Sequence, residues 1–387
     1  MRLLEDLAVK NKKVLLRADF NVLIDPAGRV MDDFRIKATL PTIQYLKEQG
    51  AKIIILTHLG RPGGVRDMKF SLASVKQRLD ELLGENILLA PDCVGEEVKK
   101  MSDDLSAGQI LLLENLRFYE AEEKNEAAFA AQLASLGEAY INDAFGVSHR
   151  AHASVEAITK FLPSGAGLLL QKEVVSLTRV RDNPEAPLCV IIGGAKISTK
   201  IKLILSFLGK AQDIILGGAL ANTVLVAKGI AVGKSFVEKT MLPELGQLEI
   251  TDTKIHLPVD AVLCSNKDGT GLCRTGPVGK VGEEELLLDI GVDSCALFDS
   301  VISRAKTIIW NGPMGLFETA AFSHGTKAVA EAIARSTAFS VTGGGETVAF
   351  LEELKLVDKF SFVSTGGGAM MEFLSGDKLP GLAALER

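Results

Sequence analysis

The sequence predicts an α/β protein: two doubly wound, Rossmann-like parallel-sheet domains joined by a helix, with a cleft between them. Three observations predict it. Short aliphatic runs alternate with segments of helical spacing along the 387 residues. The rhythm stops once, near the middle, and restarts. Several runs in the second half empty directly into paired or tripled glycines. Strands of a parallel sheet are covered on both faces, so they read as unbroken aliphatic runs and not as alternation. Strand and helix taken in turn are the signature of βαβ units.

In the first half, strands are expected at 14–16, 53–56, 87–89, 110–113 and 140–141. Helices fall between them over 38–49, 72–83 and 127–136, where apolar residues recur at helical spacing. Gly84 and Gly137 are placed to end the second and third. After Leu168-Leu169-Leu170 a mixed helical pattern runs to Arg181 and gives way to Asp182-Asn183-Pro184, so 170–181 reads as the connecting helix. Strands resume at 189–192, 213–216, 307–310, 339–341 and 360–363. The domains are accordingly set at 1–170 and 171–370. In open α/β sheets ligands bind beyond the carboxyl ends of the strands, and both domains are expected to do so.

Length and composition narrow the function classes. A chain this long exceeds one ordinary core, which supports two domains. A hydrophobic content of 47% with one Trp fits a globular enzyme and not a disordered or fibrous chain. No run approaches about 18 uncharged apolar residues. Met1-Arg2-Leu3-Leu4-Glu5-Asp6 lacks the apolar heart of a signal peptide, so a cytoplasmic protein without a membrane partner is expected. A net charge of −6 argues against nucleic acid. Cys93, Cys189, Cys264, Cys273 and Cys295 are odd in number and scattered, which favours free structural thiols. Cys264 and Cys273 bracket a loop but, with no second pair, make a poor zinc site.

Residues able to carry chemistry gather at the expected strand ends. In the first half these are Arg17, Asp19, Asn21, Arg35, His58, Arg61, Arg117, Asp143, His149, Arg150 and His152. A lone arginine is most often a solvated surface group. Several at successive strand ends converge on one rim, where guanidinium groups bind carboxylate and phosphate by paired hydrogen bonds. His149 and His152 stand three apart with no acidic or thiol companion, which fits anion binding or packing better than metal ligation. In the second half, glycine turns follow strands at Gly193-Gly194, Gly217-Gly218, Gly343-Gly344-Gly345 and Gly366-Gly367-Gly368. Each leads toward a helix, whose bare N–H groups and positive dipole end suit a phosphate. Lys196 and Lys200 follow the first turn at a spacing that would put both on one helical face. The segment 229–235 imitates a P-loop, but one residue too few separates its glycines. No G-x-G-x-x-G follows a strand, which weighs against a nicotinamide site.

The motifs Arg17-Ala18-Asp19-Phe20-Asn21, His58-Leu59-Gly60-Arg61-Pro62, Asn142-Asp143-Ala144-Phe145-Gly146, His149-Arg150-Ala151, Gly193-Gly194-Ala195-Lys196, Trp310-Asn311-Gly312-Pro313-Met314-Gly315 and Ser364-Thr365-Gly366-Gly367-Gly368-Ala369 closely resemble those of the phosphoglycerate kinases, in the family's order and across essentially the whole chain. The resemblance implies reversible phosphoryl transfer from 1,3-bisphosphoglycerate to MgADP, giving 3-phosphoglycerate and MgATP in glycolysis, by in-line transfer after closure of a hinge. It implies that Asp19, Phe20, Asn21, Arg35, His58, Leu59, Gly60, Arg61, Arg117 and Arg150 hold the phosphoglycerate on the N-terminal domain. Lys196, Lys200, Gly217, Gly218, Asn311, Glu318, Gly344, Gly345, Glu346 and Thr347 would form the nucleotide site, with Glu318 on the ribose. The tail 371–387 would pack back on the first domain, and a monomer is the family's expectation.

The attacking carboxylate is already ionised in the ATP-consuming direction, so no general base is needed. The work is positioning and charge neutralisation, for which Arg35, Lys196, Lys200, Mg²⁺ and the backbone at Gly345 and Gly367 are the candidates. Three positions depart from the family. Glu346 stands where an aspartate usually meets Mg²⁺, Phe362 replaces a common histidine, and Leu23 replaces a common proline. A different acyl-phosphate or sugar kinase would lack the arginine set. A catalytically silent relative would have lost Lys196, Lys200 or the carboxylate at 346.

Overall fold

The aliphatic run Lys13–Arg17 forms β1, and the first sheet grows outward from it in both directions. The computed structural model describes residues 1–246 and 253–386; Arg387, the end of the expected tail, lies outside them. The other strands of this sheet are β2 (Lys52–Leu56), β3 (Leu88–Leu89), β4 (Ile110–Leu112), β5 (Ala139–Asn142) and β6 (Ser164–Ala166), in the order β3-β4-β2-β1-β5-β6. Every pairing is parallel. The strand order reverses at β1, between β2 and β5, and this is where the topology opens a crevice at the carboxyl ends. One face of the sheet packs Val14, Leu16, Ile53, Ile55, Ile110 and Leu112 against Ile36, Ile43 and Leu46 of the helix Phe34–Glu48 and Val75 and Leu79 of the helix Ala73–Leu83.

The second half repeats the plan. β7 (Leu188–Ile192), β8 (Asp213–Leu216), β9 (Ile255–His256), β13 (Thr307–Asn311), β14 (Phe339–Gly343) and β15 (Phe362–Ser364) form a parallel sheet in the order β15-β14-β13-β7-β8-β9, reversing at β7. Trp310 is wholly buried in its core and donates its Nε1–H to Gly312 O at 2.9 Å, which ties the β13 strand to the turn that follows it. Contacts divide the chain into one unit of Met1–Val175 with Asp377–Arg387 and another of Ser176–Gly376. The helix Leu168–Asp182 carries the chain from the first to the second. In the first unit the tail is held by Gly381 N donating to Ser148 O at 2.9 Å and by Arg2 N donating to Leu385 O at 3.2 Å.

The ten strands and three helices expected from the sequence are present, with ends shifted by a few residues. Gly84 ends its helix in the left-handed conformation at φ +68°, as expected. Gly137 does not cap: its helix stops at Ala134, and the residue is glycine because a Cβ there would lie 2.7 Å from Leu15. The short strands β6 and β9 went unforeseen, since Ser164-Gly165-Ala166 carries no aliphatic run and β9 has two residues. Also unforeseen is a three-stranded antiparallel sheet, order β11-β10-β12, built from β10 (Asp260–Cys264), β11 (Cys273–Pro277) and β12 (Leu286–Ile290). It corrects the reading of free thiols throughout. Cys264 and Cys273 stand directly opposite each other in the β10–β11 register and form a disulfide, while Cys93, Cys189 and Cys295 stay free. Spacing in sequence did not reveal that a hairpin turn lies between the two.

Candidate active site

In the first unit the loops after β1, β2, β4 and β5 bring the basic residues to one rim. Asn21 organises the near side: its Oδ1 accepts from Gly60 N at 2.8 Å and its carbonyl accepts from Arg35 Nη1 at 2.9 Å. Asp19 Oδ2 lies 3.4 Å from the same Arg35 nitrogen, so the guanidinium is held half-buried by two neighbours. Arg117 donates from Nη1 to Gly60 O at 2.7 Å, and Arg150 donates from Nε to His149 Nε2 at 3.1 Å. Arg61 is exposed. Gly60 has φ +63°, and a Cβ would lie 2.4 Å from the Phe70 ring, so the turn that aims Arg61 requires glycine. Phe20 and Leu59, expected at the substrate, have their side chains in the core and can offer only backbone.

Behind this rim lies a layer of buried polar groups. Arg17 is 1% exposed, donates from Nε to Ser154 Oγ at 2.8 Å and reaches His58 Nδ1 with Nη2 at 3.2 Å. Burial, and then the positive charge of Arg17, Arg117 and Arg35, holds His58 well below the ordinary imidazole range. Burial followed by Arg17 and Arg117 pushes His152 down to about 3. Burial first and then Arg150 lowers His149. All three imidazoles are therefore neutral near pH 7, and the positive charge belongs to the arginines. Asp143, grouped with these residues on sequence grounds, turns elsewhere. Its Oδ1 accepts from Leu170 N at 3.0 Å in the first turn of the helix Leu168–Asp182, and burial pushes its carboxyl up to about 7.

In the second unit the glycine turns abut one another. A Cβ on Gly218 would lie 2.7 Å from Gly194 N and 2.9 Å from Pro313 O; one on Gly367 would lie 2.6 Å from Gly344 Cα. Asn311 and Thr347 stitch these turns together. Asn311 Nδ2 donates to Gly343 O at 2.7 Å, and Gly312 N donates to Thr347 Oγ1 at 3.1 Å. The helices Gly218–Ala227, Gly345–Glu353 and Gly367–Leu374 begin at the turns, so their N-terminal, positive dipole ends lie there. In the first of them Gly218 N already donates to Met314 O and Leu220 N to Gly194 O, both at 2.8 Å.

Lys196 and Lys200 do not share a helical face. The chain from Gly193 to Thr199 is turn, the helix starts at Ile201, and Gly194 at φ +96° redirects the backbone between. Lys196 is exposed at the rim, whereas Lys200 is buried and donates from Nζ to Gly193 O. A Cβ on Gly312 or Gly194 would fall 2.5 or 2.8 Å from that ammonium, so glycine on two strand ends makes its room. Burial pulls the Lys200 pKa down to about 8, with Glu346 pulling it back up.

Beside the turns opens a cleft of about 360 Å³, lined by Lys196, Gly218, Glu318 and Glu346 on its polar side. Phe236, Leu286, Leu288, Ile290, Met314 and Leu316 supply apolar walls for a flat ring system. Those walls went unread in the sequence because β12 was not recognised. The run Leu286-Leu287-Leu288 was the available signal. The segment 229–235 follows a helix and not a strand, as befits a false P-loop.

Glu346 is exposed in the first turn of its helix, and no cluster of three metal-binding side chains occurs among the described residues. That fits Mg²⁺ carried by a nucleotide, which takes one or two carboxylates and otherwise phosphate and water, better than a resident metal.

A model of the family described as phosphoglycerate kinase matches residues 4–377. The chain belongs to the phosphoglycerate kinase family. It is 48% identical over 390 residues to the phosphoglycerate kinase of Coprothermobacter proteolyticus, covering 100% of this chain and 98% of the relative. It is 48% identical to the protein of Triticum aestivum named phosphoglycerate kinase, cytosolic, over 98% of this chain and 96% of that one. Among solved structures, the phosphoglycerate kinase of Pyrococcus horikoshii OT3 superposes with a TM-score of 0.90 at 32% identity, covering 100% of this chain and 98% of its own. That of Coxiella burnetii gives 0.87 at 38%, covering 100% and 99%. The comparisons bear out the family and the paired parallel-sheet fold expected from the motifs.

Proposed function

We propose that the two rims serve one reaction, transfer of a phosphoryl group between 1,3-bisphosphoglycerate and ADP. The observation that carries it is the division of labour: an arginine and histidine rim on one sheet, and glycine turns beside an apolar cleft on the other. A terminal phosphate oxygen of ADP attacks the acyl phosphorus, the acyl P–O bond breaks, and its electron pair leaves with the carboxylate of 3-phosphoglycerate. Both ends of the transfer are anions, so no side chain has to move a proton.

Asp19, Asn21, Arg35, His58, Gly60, Arg61, Arg117 and Arg150 hold the phosphoglycerate, with Phe20 and Leu59 contributing backbone alone. Lys196, Lys200 and the turns at Gly217-Gly218, Gly344-Gly345 and Gly367 hold the phosphates. Asn311 and Thr347 keep those turns in register, and Glu318 meets the ribose. Arg35, Lys200 and the N–H groups at Gly345 and Gly367 stabilise the transferring group. Glu346 would hold Mg²⁺ with the nucleotide phosphates, and the ion supplies charge neutralisation there. In-line transfer requires the phosphoglycerate-bearing and nucleotide-bearing units to close on each other, which excludes water from the acyl phosphate.

A cytosolic location fits a relative named as cytosolic, and no helix among the described residues is long and apolar enough to cross a membrane. The Cys264–Cys273 bridge is the feature that leans toward an oxidising compartment. The test is turnover of 3-phosphoglycerate with MgATP, coupled to NADH oxidation, for wild type and Glu346→Asp together. Turnover in wild type is the expected result. Nucleotide binding with no turnover in either would leave a metabolite-binding relative and overturn the reading.

A further inference from the structure

A fully buried carboxylate sits directly behind a site built to attract anions. Glu122 is 0% exposed, and nothing in the transfer chemistry asks for an acidic side chain there. Its two oxygens are both committed to one residue: Oε2 accepts from Ser154 N at 2.9 Å and Oε1 from the Ser154 hydroxyl at 2.6 Å. With its proton given to Glu122, the Ser154 oxygen is left as an acceptor, and Arg17 Nε donates to it at 2.8 Å. The far end of the same guanidinium lies 3.2 Å from His58 Nδ1, and Nη1 donates to Ala18 O.

A guanidinium can only donate. His58 Nδ1 must therefore accept, which leaves the ring proton on Nε2. We infer that Glu122, Ser154 and Arg17 form a relay that fixes His58 as the neutral Nε2–H tautomer, so that this imidazole offers the phosphoglycerate a hydrogen-bond donor that carries no charge. Among the described residues no hydrogen-bond partner is recorded for Nε2. The competing orientation would have Nδ1–H donate to Asp19, but Asp19 Oδ1 lies 3.9 Å away, beyond hydrogen-bond reach. Burial and the surrounding arginines keep the ring neutral and so support the same assignment.

Glu122 thus has a use in an anion site: through Ser154 and Arg17 it holds the proton position on His58. His152, whose Nδ1 lies 3.8 Å from Glu122 Oε1, is too far to take that oxygen from Ser154. The inference rests on the reading that His58 meets the phosphoglycerate, and it makes Glu122, Ser154 and Arg17 positioning residues for that contact.

Two measurements test it. In ¹⁵N spectra of the wild-type holo-length chain near about pH 7, the His58 ring, assigned by its loss in His58→Gln, is expected to carry its proton on Nε2 alone. A proton on Nδ1, or on both nitrogens, overturns the relay, and this needs no variant to fold except as an assignment aid. In kinetics, Ser154→Ala and Glu122→Gln are each expected to raise KM for 3-phosphoglycerate about tenfold while leaving KM for MgATP within about twofold. The double variant is expected to be no worse than either single, because both act through one hydroxyl. An unchanged KM for 3-phosphoglycerate, a parallel rise in both KM values, or multiplied effects in the double variant would overturn it. Absence of wild-type turnover would instead sink the functional reading, leaving the tautomer measurement to decide the relay by itself.

Discussion

The two rims solve the same problem with different materials. On the first sheet the proposed anion site is made of side chains, and those side chains are held by one another: Asn21 holds Arg35 and Gly60, Arg117 holds Gly60, and Glu122 holds Arg17 through Ser154. On the second sheet the proposed phosphate site is built mainly of backbone, from glycine turns at Gly194, Gly218, Gly344 and Gly367 packed too closely for a Cβ. A side-chain site is rich in charge, so it responds to salt and to conservative substitution. A backbone site responds to added bulk.

The sharpest break between them is expected at Lys200, a buried charge of the backbone site. Lys200→Met should lower kcat by roughly 10²- to 10³-fold, the scale for removing one preorganised donor. The same change should stabilise the fold. The Lys200 pKa falls from 10.5 to about 8 on folding because burial penalises the charged form. The unfolded chain therefore binds this proton more tightly, and wild-type stability should rise with pH between about 8 and 10.5. Below about 8 the full penalty stands, on the order of 3 kcal/mol, and Met removes it. Thermal melts of both proteins across that window, beside turnover, check the pair of outcomes. A variant that melts lower at neutral pH would show that the ammonium contributes to the fold.

Next in size is Gly218→Ala. The residue has φ +64° and its Cβ would press on the backbone of Gly194 and Pro313. A loss of about 1–3 kcal/mol of stability and a rise of tenfold or more in the MgADP KM are expected, with the 3-phosphoglycerate KM unmoved. Arg117→Lys tests the opposite rim. It keeps the charge but loses the planar fork, and about a tenfold rise in the 3-phosphoglycerate KM is expected with nucleotide kinetics intact. An effect on the nucleotide KM would blur the division between the sites. The smallest effect belongs to Glu318→Gln: the side chain is exposed, and about a threefold rise in nucleotide KM is expected at most.

The rim built from side chains was the more legible in sequence, because Arg, His and Asn announce their chemistry by type. Even there, type did not reveal depth. Arg17 and His58 read like Arg61, yet the first two are buried and the third is exposed. Asp143 read as part of the cluster and instead caps a helix. On the other rim the glycines stood out, but the apolar walls did not. β12 offered the run Leu286-Leu287-Leu288, but it lies in a small antiparallel sheet outside the alternating strand and helix rhythm that marked the other strands.

What the sequence by itself determined is the plan that follows from local periodicity and residue chemistry. Aliphatic runs alternating with helical spacing define the strand and helix order, a break at 170–181 divides it, and motifs in the right succession identify the family. What only the tertiary structure decided is whatever depends on register across distant segments. Cys264 finds Cys273 across a hairpin, Lys200 goes inside while Lys196 stays out, and Glu122 reaches Arg17 through Ser154. Each of these depends on where two pieces of chain meet in space and on how deeply they are buried. Partner and depth together then set a group's charge, as burial does for the Lys200 ammonium, and one-dimensional spacing holds no record of them.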